Sequence, residues 1–137
     1  MEIKYNEATV NRPLGDRVID APIVVIDLNK YSQQLTGEDA LEKNGRNGIT
    51  ILKTSGLTMV LVWLHNDTEL MDNLIDGHIT IQVIEGAVEC TIESCTFQLQ
   101  KQQIISIHPG IFYSIRTIEK SLLLITNKAE EEGSNSK

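Results

Sequence analysis

Asp76-Gly-His-Ile-Thr-Ile-Gln-Val-Ile-Glu-Gly86 is the stretch around which the chain is organised. Ile79, Ile81 and Val83 alternate with Thr80 and Gln82, and a period of two marks a strand with one buried face. Gly86 ends the run and a second one, Ala87 to Ile92, starts at once, so the pair reads as a β-hairpin corner. Further on, Ile104-Ile-Ser-Ile-His-Pro-Gly-Ile-Phe-Tyr-Ser-Ile-Arg116 reads as a strand, a Pro-Gly turn and another strand, a second half that mirrors the first.

Outward from this centre the chain stays β. Ile49 to Lys53 and Leu57 to His65 flank the turn Thr54-Ser-Gly56, Asn66 to Asn73 is polar and loop-like, and Thr96 to Leu99 and Ser121 to Asn127 complete the strands. In Leu57 to His65 both faces are apolar, Leu57, Met59, Leu61 and Trp63 on one and Val60, Val62 and Leu64 on the other, so both need a cover. One cover is the barrel interior; the other is the N-terminal segment or a second subunit. Short strands punctuated at this spacing indicate an all-β sandwich or barrel.

Ahead of the strands, residues 1 to 21 read as an extended arm and Ile23 to Leu28 as a short apolar strand. A small helical insert follows: a turn or two over Asn29 to Leu35, then Thr36 as N-cap before Ala40 to Lys43. The expected division is an arm, strand and small helix over 1–48, a barrel over 49–127 and a disordered tail over 128–137, which is too charged and small to bury apolar surface.

A chain of 137 residues suits a single domain, and its net charge of -7 repels phosphate backbones, so nucleic acid is not an expected partner. The N-terminus carries no apolar leader and the longest apolar run, Met59 to Leu64, is far short of a bilayer span, so the expectation is a cytoplasmic protein with no membrane partner. Cys90 and Cys95 sit where a hairpin could bring them together, but two cysteines without a histidine pattern neither require a disulfide nor make a metal site.

The two halves resemble the conserved halves of the cupin superfamily, whose fold is a double-stranded β-helix, or jelly-roll barrel. The resemblance rests on Gly56, on the strand Ile79 to Gly86 and on the turn His108-Pro-Gly110; it covers Ile49 to Asn127. It implies a small single-domain conserved-barrel cupin with degenerate metal motifs. Counting back from Gly86, the family glutamate falls on Ile79 and the histidine pair on Asn73 and Ile75, or on Asp72 and Leu74; the later histidine falls on Tyr113. These side chains are not the nitrogen and carboxylate donors that a first-row metal needs, so no metal and no cofactor are expected.

His65, His78 and His108 are the only histidines. With Ile79, Ile81 and Val83 turned inward, His78 faces out, His108 lies at the rim beside Pro109, and His65 ends a strand. The expected lumen is apolar, lined by Ile79, Ile81, Val83, Leu61, Trp63 and Phe112, with Asn73 and Tyr113 as polar groups near the mouth. Such a lumen is either a small-molecule pocket or filled by its own side chains. Ser106 and Ser114 flank His108, yet alternation gives no Ser-His pair with it, and Glu85, Glu89 and Glu93 are read as solvated charges.

Two functions follow. The first is a metal-free barrel acting as a small-molecule binding or regulatory and interaction module, homodimeric because of the two-faced strand and the outward Ile84. The alternative is a cupin-type enzyme, an isomerase or oxygenase-like protein, with His108 or Tyr113 as acid or base; of the two side-chain types only an imidazole ordinarily titrates near neutrality.

Overall fold

Antiparallel strands make up most of the computed structural model, which describes residues 4–7, 15, 17–72 and 77–129. Strands β1 (Lys4–Asn6) and β2 (Arg17–Asp20) pair with each other, so the described part of the arm contains a two-stranded ribbon. The Arg17 guanidinium ties it down, donating through Nε to the Thr50 carbonyl at 2.7 Å.

The apolar run Ile23 to Leu28 is not a strand. Asp27 caps helix α1 (Leu28–Gly37), accepting from the Lys30 amide at 3.2 Å, and the run before it is irregular, with Ile23 84% and Val25 90% exposed. A carboxylate that satisfies an orphan N–H outweighs the strand preference of the β-branched residues before it. Thr36 is not an N-cap: it lies in the last turn of α1, where its hydroxyl donates to the Gln33 carbonyl. Helix α2 (Asp39–Asn44) starts after Glu38 and stops at Gly45, whose amide donates to the Leu41 carbonyl.

The barrel strands are β3 (Arg46–Thr54), β4 (Leu57–Leu64), β5 (Glu69–Asp72), β6 (Gly77–Glu85), β7 (Ala87–Ile92), β8 (Cys95–Gln100), β9 (Ile104–Ile107), β10 (Tyr113–Thr117) and β11 (Ser121–Ala129). They form a four-stranded sheet ordered β5-β10-β7-β8 and a five-stranded sheet ordered β3-β4-β11-β6-β9. The expected loop Asn66 to Asn73 thus contains an edge strand, and β11 runs on through Lys128 and Ala129, the first two residues of the expected tail; residues 130–137 lie outside the described ones.

Gly86 is not a hairpin turn. Strand β6 pairs with β11 and β9, whereas β7 pairs with β10 and β8, so the chain passes from one sheet to the other there. The β10–β11 connection makes the same passage, and the two corners interlock: the Ile118 amide donates to the Ala87 carbonyl, and the Ala87 amide donates to the buried Ser121 hydroxyl at 3.1 Å.

Two apolar layers result. Between the sheets lie Val62, Leu64, Ile79, Ile81, Val83, Val88, Cys90, Leu99, Ile107, Tyr113, Ile115 and Leu123. On the outer side of the five-stranded sheet, Leu35 of α1 packs with Ile49, Ile51, Leu61, Leu122 and Leu124, joined by Tyr31, Met59 and Trp63. The second cover of the two-faced strand β4 is therefore α1, part of the N-terminal segment. Buried Asn47 fastens the helix end, donating to the Leu35 carbonyl and to Glu38 Oε1, each at 3.0 Å.

Candidate functional site

In β6 the alternation holds: Ile79 is 3% exposed, Ile81 and Val83 not at all, while Thr80 and Gln82 lie on the other face and are half-buried. Cross-strand pairs share a face, so Ile107 and Ile105 of β9 join Ile79 and Ile81 inside, and from β11 come Leu123, Ile125 and Asn127. Tyr113, 5% exposed at the start of β10 between Asp72 and Ile92, packs into the same cluster.

Three expected lumen residues lie elsewhere. Trp63 faces α1, with its indole N–H 3.2 Å from both the carbonyl and the hydroxyl oxygen of Ser32 and the Lys120 ammonium 5.2 Å from its ring centre. Leu61 shares that side, and from β4 Val62 and Leu64 point inward instead. Phe112 is 60% exposed, because the inward place beside it is taken by Tyr113. Asn73 lies outside the described residues, as do Leu74 and Ile75.

Asn127 was not foreseen. Its side-chain oxygen is buried and, among the described residues, is the one buried side-chain polar atom that meets no hydrogen-bond partner. It lies against the backbone of Gly77, where any Cβ would run into it. Only the pairing of β11 with β6, opposite Ile79, shows that this asparagine enters the lumen.

His108 and Tyr113 do not converge. Tyr113 is inside, whereas His108 is exposed on the outer face with its ring centre 5.2 Å from that of His78 and the two planes tilted by 52°. His78 Nε2 lies 2.7 Å from Ser106 Oγ. Two positions apart, Ser106 and His108 share the outer face, so alternation does not separate them; the serine's partner is His78 of the adjoining strand. That hydroxyl–imidazole contact has the length needed to activate a nucleophile. Among the described residues no carboxylate is bonded to the His78 ring. His65 lies just past β4, with its amide donating to the Gly45 carbonyl. Glu85 pairs at the surface with Lys101 at 3.5 Å, and Glu93 is exposed.

The lumen donors do not fit a metal. Ile79 offers only an alkyl chain at the glutamate place, and among the described residues no three His, Cys, Asp or Glu side chains converge. The thiol within the core, Cys90, is pushed by burial from 9.0 to about 11, which keeps it protonated, and the thiolate is the ligating form. Both cysteines are free, because the register sets Cys90 opposite Phe97 and Cys95 opposite Ile92. A thiol reagent at pH 8 is therefore expected to label exposed Cys95 promptly and Cys90 only after unfolding. Two fast-reacting thiols in the native protein would contradict that burial.

No family model matches the sequence, and neither does any curated protein. Solved structures do match. A conserved protein of unknown function from Streptococcus pyogenes is 20% identical over 83% of this chain and 93% of its own, with a TM-score of 0.65. A cupin superfamily protein from Desulfitobacterium hafniense is 9% identical over 64% of this chain and 80% of its own, with a TM-score of 0.61. Salicylate 1,2-dioxygenase from Pseudoaminobacter salicylatoxidans aligns at 19% identity over 89% of this chain but only 37% of its own length, with a TM-score of 0.65. Among the described residues no helix is long and apolar enough to cross a membrane. Two antiparallel sheets closed face to face, exchanged at Gly86 and matched by these neighbours, give this chain the cupin fold.

Proposed function

We propose that this protein is a cupin barrel with a metal-free lumen that works as a binding and interaction module and pairs with a second copy of itself. The packing of the lumen carries the reading. Leu64, Ile81, Val83, Val88, Cys90, Ile115 and Leu123 have no accessible surface, whereas the wall of a void large enough for water would have some. Of the two forms open to such a lumen, a pocket or a filled core, this favours the filled one. A small molecule would then bind at the surface, around the mouth where Phe112 is exposed and Tyr113 begins β10.

Pairing draws its support from a different place than the sequence suggests. Helix α1 covers the outer face of β4, and Ile84 packs against that layer, so neither calls for a second subunit. Ile23 and Val25 do: two β-branched side chains stand almost wholly in water on one segment, and covering them would release that hydration cost. Light scattering of the tag-free protein should give twice the chain mass of 15.3 kDa, and the double variant Ile23→Asp, Val25→Asp should halve it without lowering the melting temperature. A monomer at micromolar concentration sinks the pairing. A stoichiometric small molecule released from the native protein on denaturation would sink the filled lumen.

A further inference from the structure

The register that turns Ile79 and Ile107 inward sets His78 of β6 opposite His108, just past β9, on the outer face of the barrel. We propose that these two imidazoles form a site for a divalent transition cation, outside the lumen and independent of it.

The first argument is the spacing. A metal–nitrogen bond of about 2.0–2.1 Å places a ring centre about 3.2 Å from the ion, so two imidazoles sharing one tetrahedral ion have centres about 5 Å apart. The observed separation is 5.2 Å. Plain packing of two rings also allows roughly 4.5–7 Å, so the second argument concerns orientation. Ligating histidines characteristically engage their second ring nitrogen in a hydrogen bond that fixes tautomer and angle. Ser106 Oγ, 2.7 Å from His78 Nε2, supplies that bond. In the tautomer whose Nε2–H donates to the hydroxyl, Nδ1 keeps its lone pair for a metal.

The third argument is access and charge. His108 is exposed, and the chain carries a net charge of -7, which draws cations. The neighbouring cation is Lys128, opposite His78 on β11, and its ammonium reaches toward the Ser55 carbonyl at the β3–β4 turn, 3.4 Å away. Among the described residues no third His, Cys, Asp or Glu joins the pair, so water completes the coordination sphere. Imidazole nitrogens suit copper, nickel and zinc, and the preference among divalent ions should follow the usual order, with Cu2+ ahead of Zn2+.

The test is titration of tag-free protein in a Cys95→Ser background, which removes the exposed thiol, with Cu2+ or Zn2+ alone. Binding is followed by calorimetry and by the imidazole signals in NMR spectra. Binding of a single ion is expected, with His78 and His108 signals shifted or broadened and those of His65 unmoved. His78→Ala and His108→Ala should each weaken binding about tenfold or more, and Ser106→Ala less than either. His65→Ala should leave it unchanged. All variants should keep the metal-free melting temperature, since both rings lie on the outer face. Absence of binding at millimolar metal, or binding that survives loss of either histidine, would overturn the proposal and leave the pair as packed rings.

Discussion

Gly86→Ala should be the most damaging single-methyl change in the barrel, costing about 4 kcal/mol and lowering the melting temperature by roughly 10–20 °C. Gly86 has a φ of +91°, where a side chain is strained, and an added Cβ would meet the Ser121 hydroxyl and lie 2.5 Å from the Lys120 carbonyl oxygen and 2.8 Å from Ser121 Cα. Two of those neighbours are backbone and cannot rotate away. Ser121 has no accessible surface; its hydroxyl accepts from the Ala87 amide and lies 2.7 Å from the Glu119 carbonyl it donates to. The methyl therefore forces apart the two corners at which the chain changes sheets. Gly110→Ala separates the causes, because Gly110 has nearly the same φ, +86°, with nothing within 4 Å of an added Cβ. It should cost about 1 kcal/mol. Equal losses in the two variants would mean that dihedral strain, and not the interlock, governs the corner.

That corner shows how far a local pattern can be read. Alternation in β6 identifies the strand and its inward side, since only one parity is apolar through Ile79, Ile81 and Val83. It cannot say whether the glycine at its end folds the chain back on its own sheet or sends it to the opposite one, because both need the same positive φ. In β4 even the inward parity is hidden. Both faces are apolar, and only the neighbouring strands and α1 decide that Val62 and Leu64 go inside while Leu61 and Trp63 go under the helix. Phe112 misled for a related reason: next to Tyr113 it is of the opposite parity, and an aromatic residue gives no sign that the inward place is taken.

The polar groups were less legible still. His78 faces away from the lumen as its position in β6 requires, yet its approach to His108 and Ser106 depends on the offset between β6 and β9, which are separated by a hairpin and two further turns. Asn127 reads as the polar end of a strand and proves to be a carboxamide turned inward with its oxygen unpartnered. Tertiary pairing creates both arrangements, and no spacing along the chain carries them.

Ile79→Glu would put a carboxyl where the resemblance places the cupin glutamate, and the response reports directly on what that place can hold. Ile79 is 3% exposed and lies between Ile107 and Asn127. Burial disfavours the charged form, and the unpartnered Asn127 oxygen can only accept, so it favours the protonated acid as well. The folded-state pKa of the new glutamate should therefore rise above its unfolded value of about 4.3. Below pH 4 the acid is neutral in both states, and Ile79→Glu should match the neutral control Ile79→Gln. Between the unfolded and folded pKa values the unfolded state releases its proton first, so the glutamate variant should lose stability at about 1.4 kcal/mol per pH unit relative to the control. The gap should level off above the folded pKa, at about 3 kcal/mol by pH 7. Denaturant unfolding of both variants from pH 4 to 8 measures it. A gap that stays near zero throughout would mean that the carboxylate finds water or a cation at the barrel mouth, and the apolar, ion-free lumen on which the binding-module reading rests would have to be given up.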